Sequence, residues 1–274
     1  MSGLTMAGLT DPGRQRAGNE DSIAVQPELG LAVLADGMGG HQAGEVASSM
    51  AVDIVRRHFV EALARPAPRG KKGRGAKEAV ELRAAGEAIR LANSAIYEMA
   101  RARPECAGMG STIVVAVFYG DKMCVAHVGD SRLYRFRRGR IEQLTQDHSV
   151  IQELVSRGLV TREEAQHSIG KNLVTRALGV ESGVTPDIAE QTVQTGDIYL
   201  LCSDGLNDVI TDPEIAQELG KNGANLEETT RRLVALANAR GGPDNISVIL
   251  ARTGAQLERG GNPPARPRAA AKQG

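Results

Sequence analysis

The feature that most constrains this chain is an apolar run ending in Asp-Gly, which occurs twice at distant positions. Residues 31–35 have the length and composition of a buried strand, and they lead into Asp36, a glycine-rich turn and a helical pattern. Residues 198–202 form a similar run that leads through a serine into Asp204. A carboxylate located where a strand gives way to flexible backbone can point out of the sheet toward a ligand.

Asp-Gly pairs most often form hairpin turns, and a hairpin requires a second alternating strand directly after the turn. No such strand pattern follows Asp36 or Asp204, because both lead into glycine-rich or helix-starting sequence. We therefore predict that these two aspartates share one site. Asp130 lies in a near variant of the pattern, just after the apolar run 123–128.

Strand and helix patterns divide the rest of the chain into short units. Apolar residues recur at steps of three and four over 43–64, which predicts an amphipathic helix. Further helices are predicted at 78–103, 212–219 and 226–240. Strands are predicted at 4–10, 22–26, 112–118, 123–128, 133–136 and 141–144, twice within 187–201, and at 246–251. Hairpin turns at 120–121 and 138–139 favour antiparallel sheets covered by helices over a βαβ chain.

The composition argues against several classes of protein. Lysine plus arginine and aspartate plus glutamate balance at 33 each, so the net charge gives no reason to expect nucleic-acid or membrane binding. The three cysteines are far apart and indicate no disulfide framework. No secretory signal is visible, and the longest apolar run is too short to span a bilayer. We expect a cytoplasmic protein with an aliphatic core, because aromatic residues make up only 3% of the chain.

Two segments differ in composition from the rest of the chain. Residues 65–77 are rich in proline, glycine and basic residues, which predicts a mobile loop. The proline, glycine, alanine and arginine content of residues 253–274 predicts a disordered basic tail. Both are expected to be solvated linkers, and docking onto an acidic partner is the alternative. Residues 148–171 are mostly polar and show only a weak apolar pattern, so we expect them to lie on the surface.

The acidic residues of the chain suggest a site for hard metal ions. Asp244 and the pair Glu20-Asp21 beside Arg16 join the three aspartates already named, and no histidine pair or cysteine cluster has the spacing of a structural zinc site. Oxygen ligands suit Mg²⁺ or Mn²⁺. Carboxylates in one pocket repel one another unless cations offset their charge, so either metals bind there or these residues lie apart. Two ions about 3.5–4 Å apart can activate water for attack at phosphorus, and the planar guanidinium of Arg16 suits a phosphate.

Six short motifs occur in a fixed order along the chain. They are Arg16-x-x-Asn19-Glu20-Asp21, Val33-x-x-Asp36-Gly37-Met38-Gly39-Gly40, Gly110-Ser111-Thr112, Val128-Gly129-Asp130-Ser131-Arg132, Leu201-Cys202-Ser203-Asp204-Gly205 and Gly242-Pro243-Asp244-Asn245. In this order they resemble the metal-dependent protein phosphatase family, the type 2C serine/threonine phosphatases, in its bacterial form. The resemblance extends over about residues 4–252.

The resemblance implies the fold and the activity. The implied fold class is α+β, a four-layer α-β-β-α sandwich with two central antiparallel sheets flanked by helices. Residues 1–252 become one catalytic domain, in which 148–171 form a mobile flap beside the site. The implied activity is hydrolysis of phosphoserine and phosphothreonine by direct attack of a hydroxide that bridges two metal ions. The implied partners are phosphorylated proteins and a serine/threonine kinase that the enzyme opposes.

The resemblance also assigns metal ligands to residues of this chain. Asp36 would bridge two Mn²⁺ or Mg²⁺ ions, and the carbonyl of Gly37 would bind one of them. Asp204 and Asp244 would bind the other ion. Asp130 matches a position that in bacterial relatives helps to bind a third, weaker ion.

Substrate contacts and proton transfer follow from the same resemblance. Arg16 would hold the substrate phosphate, and Glu20 would act through a metal-bound water. Animal relatives have a histidine directly after the Asp-Gly pair, proposed as the acid that protonates the leaving alcohol, whereas this chain has Met38. The general acid therefore stays open between His41, which is nearby in sequence, and a metal-bound water.

Other readings of these motifs are weaker. A dinucleotide-binding loop fails because its third glycine falls on Gln42. A cysteine-based phosphatase fails because no cysteine has an arginine six residues after it. A non-catalytic phosphoprotein-binding module on the same fold is disfavoured because the main ligand positions are all carboxylates. A nucleic-acid adaptor that uses the basic tail is disfavoured by the net charge and by the absence of stacking aromatics near the basic segments.

Overall fold

The computed structural model describes residues 3–39, 43–64, 79–161, 164 and 173–254. The predicted loop at 65–77, His41, part of the predicted flap and the tail from residue 255 lie outside these residues.

Eleven strands and six α-helices are assigned within the described residues. The strands are β1 Leu4–Asp11, β2 Asp21–Gln26, β3 Leu31–Met38, β4 Gly110–Ser111, β5 Ile113–Tyr119, β6 Lys122–Val128, β7 Arg132–Arg137, β8 Arg140–Gln143, β9 Asp187–Thr192, β10 Ile198–Cys202 and β11 Ile246–Thr253. The helices are α1 Ala43–Ala64, α2 Val80–Ala102, α3 Val150–Ser156, α4 Asp204–Asn207, α5 Asp212–Asn222 and α6 Leu226–Ala239. Two short 3₁₀ turns cover Pro27–Leu29 and Pro104–Cys106.

The strands form two antiparallel sheets. One has the order β1-β11-β10-β7-β8, and the other has the order β2-β3-β5-β6-β9 with β4 added beside β3. Two-residue turns join β5 to β6 and β7 to β8, which confirms both predicted hairpins. In the second hairpin Arg138 and Gly139 both have positive φ, at 50° and 78°, as the twist of a tight hairpin requires.

Both faces of each sheet are covered, which explains the continuous apolar runs. In β3, Ala32 and Leu34 face a core between the two sheets, whereas Leu31, Val33 and Ala35 face the core beneath α1 and α2. A third core lies between α5, α6 and the five-stranded sheet. Because successive strand residues point to opposite faces, such a strand must be apolar at every position. The four-layer α-β-β-α sandwich is therefore confirmed.

Two predicted element ends and one burial prediction differ from the structure in ways that bear on the site. Strand β3 continues past residue 35 to Met38, because its last two residues pair with β4. Asp36 therefore lies within a strand rather than after it. Thr253, which was assigned to the tail, is the last residue of β11 and pairs with Leu4. His148, which was expected on the surface, is only 3% exposed, because it packs against the ring of His127.

Among the described residues, no helix combines the length and the apolar composition that crossing a bilayer would need.

Candidate metal and phosphate site

Asp36 is held in place by its backbone. Its N–H donates to Thr112 Oγ1 at 3.0 Å, and its carbonyl accepts from the Thr112 N–H at 2.8 Å and from Ser111 Oγ at 3.0 Å. On the other side Asp36 pairs with Asp21 in the register of β2 and β3. With the backbone bonded to Thr112 and Ser111 on one side and paired with β2 on the other, the position of the carboxylate is set by the sheet.

Asp204 lies where β10 meets α4, and its neighbours join it to the Asp36 region. Ser203 Oγ donates to Asp21 Oδ2 at 2.8 Å, and the Ser247 N–H donates to Ser203 Oγ at 2.9 Å. Two strands from different sheets are thereby connected through the buried carboxylate of Asp21. The two Asp-Gly sequences are distant in the chain but lie on facing sheets, as the shared-site prediction requires.

Asn245 attaches the loop that carries Arg16 to the end of β11. Its side-chain NH₂ donates to the carbonyls of Pro12 at 3.0 Å and Gly18 at 2.8 Å, and its Oδ1 accepts from the Glu20 N–H at 2.8 Å. The sequence prediction did not give Asn245 a role of its own. Its place in the last motif was the available signal.

The buried carboxylates shift one another's pKa. Burial raises the pKa of Asp36 well above its usual value, and the negative charges of Asp21 and Asp204 raise it further. Burial, followed by the charge of Asp130, raises the pKa of Asp204 well above its usual value. The pKa of Asp21 rises to about 6, mainly through burial, and so does that of Asp130. The predicted aspartates are therefore close enough to interact within one acidic site.

Asp21 belongs to this site as well; the sequence prediction counted it among the acidic residues but gave it no role of its own. It is 6% exposed, and its Oδ1 is buried without a hydrogen-bond partner among the described residues. A buried, unsatisfied carboxylate oxygen is costly, so its retention points to a function. The signal in the sequence was its place after Glu20 in the first motif.

Arg16 and Asp244 form an ion pair at the entrance to the site. Arg16 Nη2 donates to Asp244 Oδ2 at 2.7 Å, and the two side chains are 53% and 29% exposed. Burial raises the pKa of Glu20, and the positive charge of the nearby Arg16 offsets part of this rise. The Glu20 carboxylate packs so closely on Gly44 that a Cβ there would lie 2.7 Å from it.

Among the described residues, the predicted ligands do not form a group whose ligand atoms all lie within 4.8 Å of one another. In the part of the chain that the structure describes, the group with ligand atoms within 4.8 Å of one another consists of His127, His148 and Asp187. Asp244 instead contacts Arg16. Sequence reasoning found no histidine pair because these three residues are far apart in the chain and meet only through folding.

The donor set nevertheless fits hard divalent cations. The interacting groups offer only oxygen, and cations would relieve the repulsion that raises the pKa values of Asp36 and Asp204. The carbonyl of Gly37, another predicted ligand, lies in β3, and the close approach of Gly44 leaves no room for a side chain there. His41 lies outside the described residues.

Gly205→Ala is expected to destabilise the protein by about 1–3 kcal/mol, the usual cost of overpacking. An added Cβ would lie 2.0 Å from the carbonyl oxygen of Asn245, which the backbone holds in place. Gly183→Ala is the matched control, because a Cβ there meets no atom within 4 Å. Chemical denaturation of both variants measures the effect, and equal stability of the two would contradict the close contact.

The chain was compared with known families and proteins. The sequence profile of protein phosphatase 2C matches residues 14–249. Serine/threonine protein phosphatase PstP of Mycobacterium tuberculosis is 38% identical over 248 residues, or 90% of this chain, but the chain spans only 45% of its length. Serine/threonine phosphatase stp of Listeria welshimeri is 37% identical over 88% of this chain and 92% of its own length.

A solved structure has the same fold. The crystal structure of the catalytic domain of PstP in complex with two manganese ions is 36% identical, with a TM-score of 0.79. The match covers 93% of this chain and 100% of that one.

Proposed function

The chain belongs to the protein phosphatase 2C family, and from that membership we propose that it is a metal-dependent serine/threonine protein phosphatase. The observation that carries the proposal is that buried aspartates from both sheets interact in one acidic site beside Arg16. An arginine next to oxygen-only metal ligands is suited to binding a phosphate group on a metal centre. The substrates would be phosphorylated proteins, since the relatives are named for that activity.

We assign the predicted roles to the residues of this site. Asp36 would contribute to both metal ions, the Gly37 carbonyl would help to hold one of them, and Asp204 and Asp244 would hold the other. When bound, the ions would lower the pKa of water and offset the charge on the phosphoryl group. Binding would require Asp244 to turn from Arg16, which would then be available to the substrate phosphate.

Glu20 and the general acid complete the proposed chemistry. The pKa of Glu20 is raised mainly by burial, and its carboxylate would orient a metal-bound water. The general acid stays open between His41 and water, because Met38 takes the place of the histidine found in animal relatives.

The proposal also covers the identity of the metal ions, the extent of the catalytic domain and the partner kinase. Manganese is the ion in the PstP structure, and Mg²⁺ is the alternative for this chain. Asp130 would bind a third, weaker ion, and residues 1–252 would form the catalytic domain with 148–171 as its flap. A serine/threonine kinase that acts on the same substrates and a cytoplasmic location remain predictions.

Release of phosphate from a phosphothreonine peptide tests the function. We expect turnover with Mn²⁺, none with EDTA, and loss of turnover in Asp204→Asn. Metal-independent turnover, or full activity in that variant, would contradict the mechanism. Metal and phosphopeptide binding without turnover would instead indicate the regulatory module.

Arg16→Lys tests the phosphate-binding role. A lysine keeps the charge but loses the planar pair of donors, so we expect kcat/KM to fall by roughly tenfold to a hundredfold. Arg56→Lys on the exposed surface of α1 is the matched control, since Arg56 forms an ion pair with Asp53 of its own helix. Kinetics like the wild type in Arg16→Lys would remove Arg16 from the proposed site.

A further inference from the structure

The segment 146–148 is bonded to the turn that carries Asp130. His127 Nε2 donates to the carbonyl of Gln146 at 2.9 Å. Arg132 donates through two nitrogens to the carboxylate of Asp147, with a shortest distance of 2.6 Å. These contacts lie on either side of the turn between β6 and β7.

His148 bonds to the turn itself through both its backbone and its ring. Its N–H donates to the carbonyl of Gly129 at 3.0 Å, and its ring Nδ1 accepts from the Gly129 N–H at 3.1 Å. Gly129 has a φ of +106°, and a Cβ there would lie 2.6 Å from the side chain of Thr112. Because Gly129 directly precedes Asp130, these bonds set the direction of the backbone at Asp130.

The same residue lies where the two ends of the predicted flap meet. The carbonyl of His148 accepts from the Thr175 N–H at 2.7 Å, and the Val150 N–H donates to the Leu173 carbonyl at 2.9 Å. Ser149 caps the start of α3 by accepting from the Gln152 N–H. His148 therefore connects the base of the flap to the acidic site.

The proton of the His148 ring is placed by its hydrogen bonds. Nδ1 can accept from Gly129 only if it carries no proton, so the neutral ring carries its proton on Nε2. Burial and the neighbouring charges of His127 and Arg176 lower the pKa of His148 to about 4, so the ring is neutral at pH 7. Nε2 lies 3.3 Å from Asp187 Oδ2, and the other oxygen of Asp187 accepts from Arg176 at 2.9 Å.

The same hydrogen bonds argue against a metal ion at this cluster. A metal on Nε2 of His148 would have to displace its proton, because Nδ1 already accepts from Gly129. The Nε2 of His127 donates to Gln146, which leaves only Nδ1 of that ring as a possible ligand. His148 is therefore explained as a hydrogen-bonding group that faces the Asp130 turn.

We propose that His148 is a positioning residue that holds the Gly129 peptide and thereby directs the Asp130 carboxylate into the acidic site. Asp187 supports it by facing the Nε2 proton, so that Nδ1 stays available to Gly129. The link to catalysis rests on the proposed function, whereas the hydrogen bond can be tested without it.

The tautomer of His148 can be measured in the unmodified protein. Imidazole ¹⁵N NMR at pH 7 in the metal-free protein is expected to show an unprotonated Nδ1 and a protonated Nε2. A proton on Nδ1 would overturn the proposal, because that nitrogen could not then accept from Gly129.

A pair of variants separates positioning from packing. His148→Asn places an amide oxygen near the position of Nδ1 and keeps an acceptor, whereas His148→Leu has none. We expect the Gly129 amide to exchange with solvent roughly tenfold to a hundredfold faster in His148→Leu, because a buried donor loses its partner. In His148→Asn exchange should stay close to the wild type, and equal exchange in both variants would overturn the proposal.

The Mn²⁺ dependence of p-nitrophenyl phosphate hydrolysis gives the functional readout. His148→Leu should require more Mn²⁺ for half-maximal activity than His148→Asn, since its Asp130 is less well directed. An identical Mn²⁺ requirement in the two variants would overturn the link to Asp130. An inactive wild type would refute the proposed function, while the tautomer and the exchange rates would still decide whether His148 holds the turn.

Discussion

Asp36→Asn is expected to abolish most of the phosphatase activity and, at the same time, to stabilise the metal-free protein. The asparagine keeps the shape of the side chain but lacks the charge needed to bridge two cations. Removing partners outside the ligand shell typically costs 10–100-fold, so we expect loss of the bridging ligand to lower kcat by more than about a hundredfold.

The stability effect has the opposite sign because Asp36 is buried among other carboxylates. Burial and the charges of Asp21 and Asp204 raise its pKa, so its ionised form destabilises the folded state. Asparagine does not titrate, so the advantage of the variant should grow as the pH rises from 6 to 8.5. Denaturant unfolding in EDTA measures this difference in the free energy of unfolding.

Asp53→Asn is the matched control for Asp36→Asn, since Asp53 is on the exposed surface of α1. It should change neither the activity nor the stability by a large amount. Full activity in Asp36→Asn would exclude a bridging role. A pH-independent stability difference between variant and wild type would show that folding does not raise the pKa of Asp36.

The metal-free protein is expected to lose stability as the pH rises from about 5 to 8. Asp21 and Asp130 have pKa values of about 6 in the folded state, above the value of about 4 in an unfolded chain. The folded state therefore binds more protons, so these groups stabilise the protein at low pH and this stability is lost as the pH passes 6. Each buried carboxyl contributes on the order of 3 kcal/mol.

A second set of carboxyls limits the stability on the acid side. Ion pairing lowers the pKa of Asp197 and of Asp187, despite partial burial. Their contribution is present above the unfolded value and is lost as the pH falls below about 4. Metal-free stability should therefore be greatest near pH 4.

Saturating Mn²⁺ should reverse the trend above pH 5, because ions bind the ionised carboxylates of the folded state. Thermal unfolding at pH 5, 6, 7 and 8, with EDTA and with Mn²⁺, provides the measurement. At pH 8 the difference between the two conditions should be largest. Metal-free stability that is constant or rising from pH 5 to 8 would show that the carboxylates do not form one buried acidic site.

Much of the fold could be predicted because local patterns and long-range packing agree. The repeat of apolar residues predicted α1 with the bounds that the structure has, and both tight turns contain the glycine that their backbone needs. The end of β3 was misplaced, since its last two residues are held in the strand by β4, which is distant in the chain. His148 was misplaced for a similar reason, because only its ring contacts explain its burial.

The sequence by itself determined most of the elements, because periodicity is a local property of the chain, and its ordered motifs determined the layer architecture and the main acidic residues through the family resemblance. Only the tertiary structure decided that Asp21 joins Asp36 across two strands, that Arg16 meets Asp244, and that His148 holds the turn before Asp130. The physical reason is that hydrogen bonds and charge interactions act over a few ångströms in space, whereas the partners in these pairs are 15, 228 and 19 residues apart in the chain, counting His148 to Gly129 for the last.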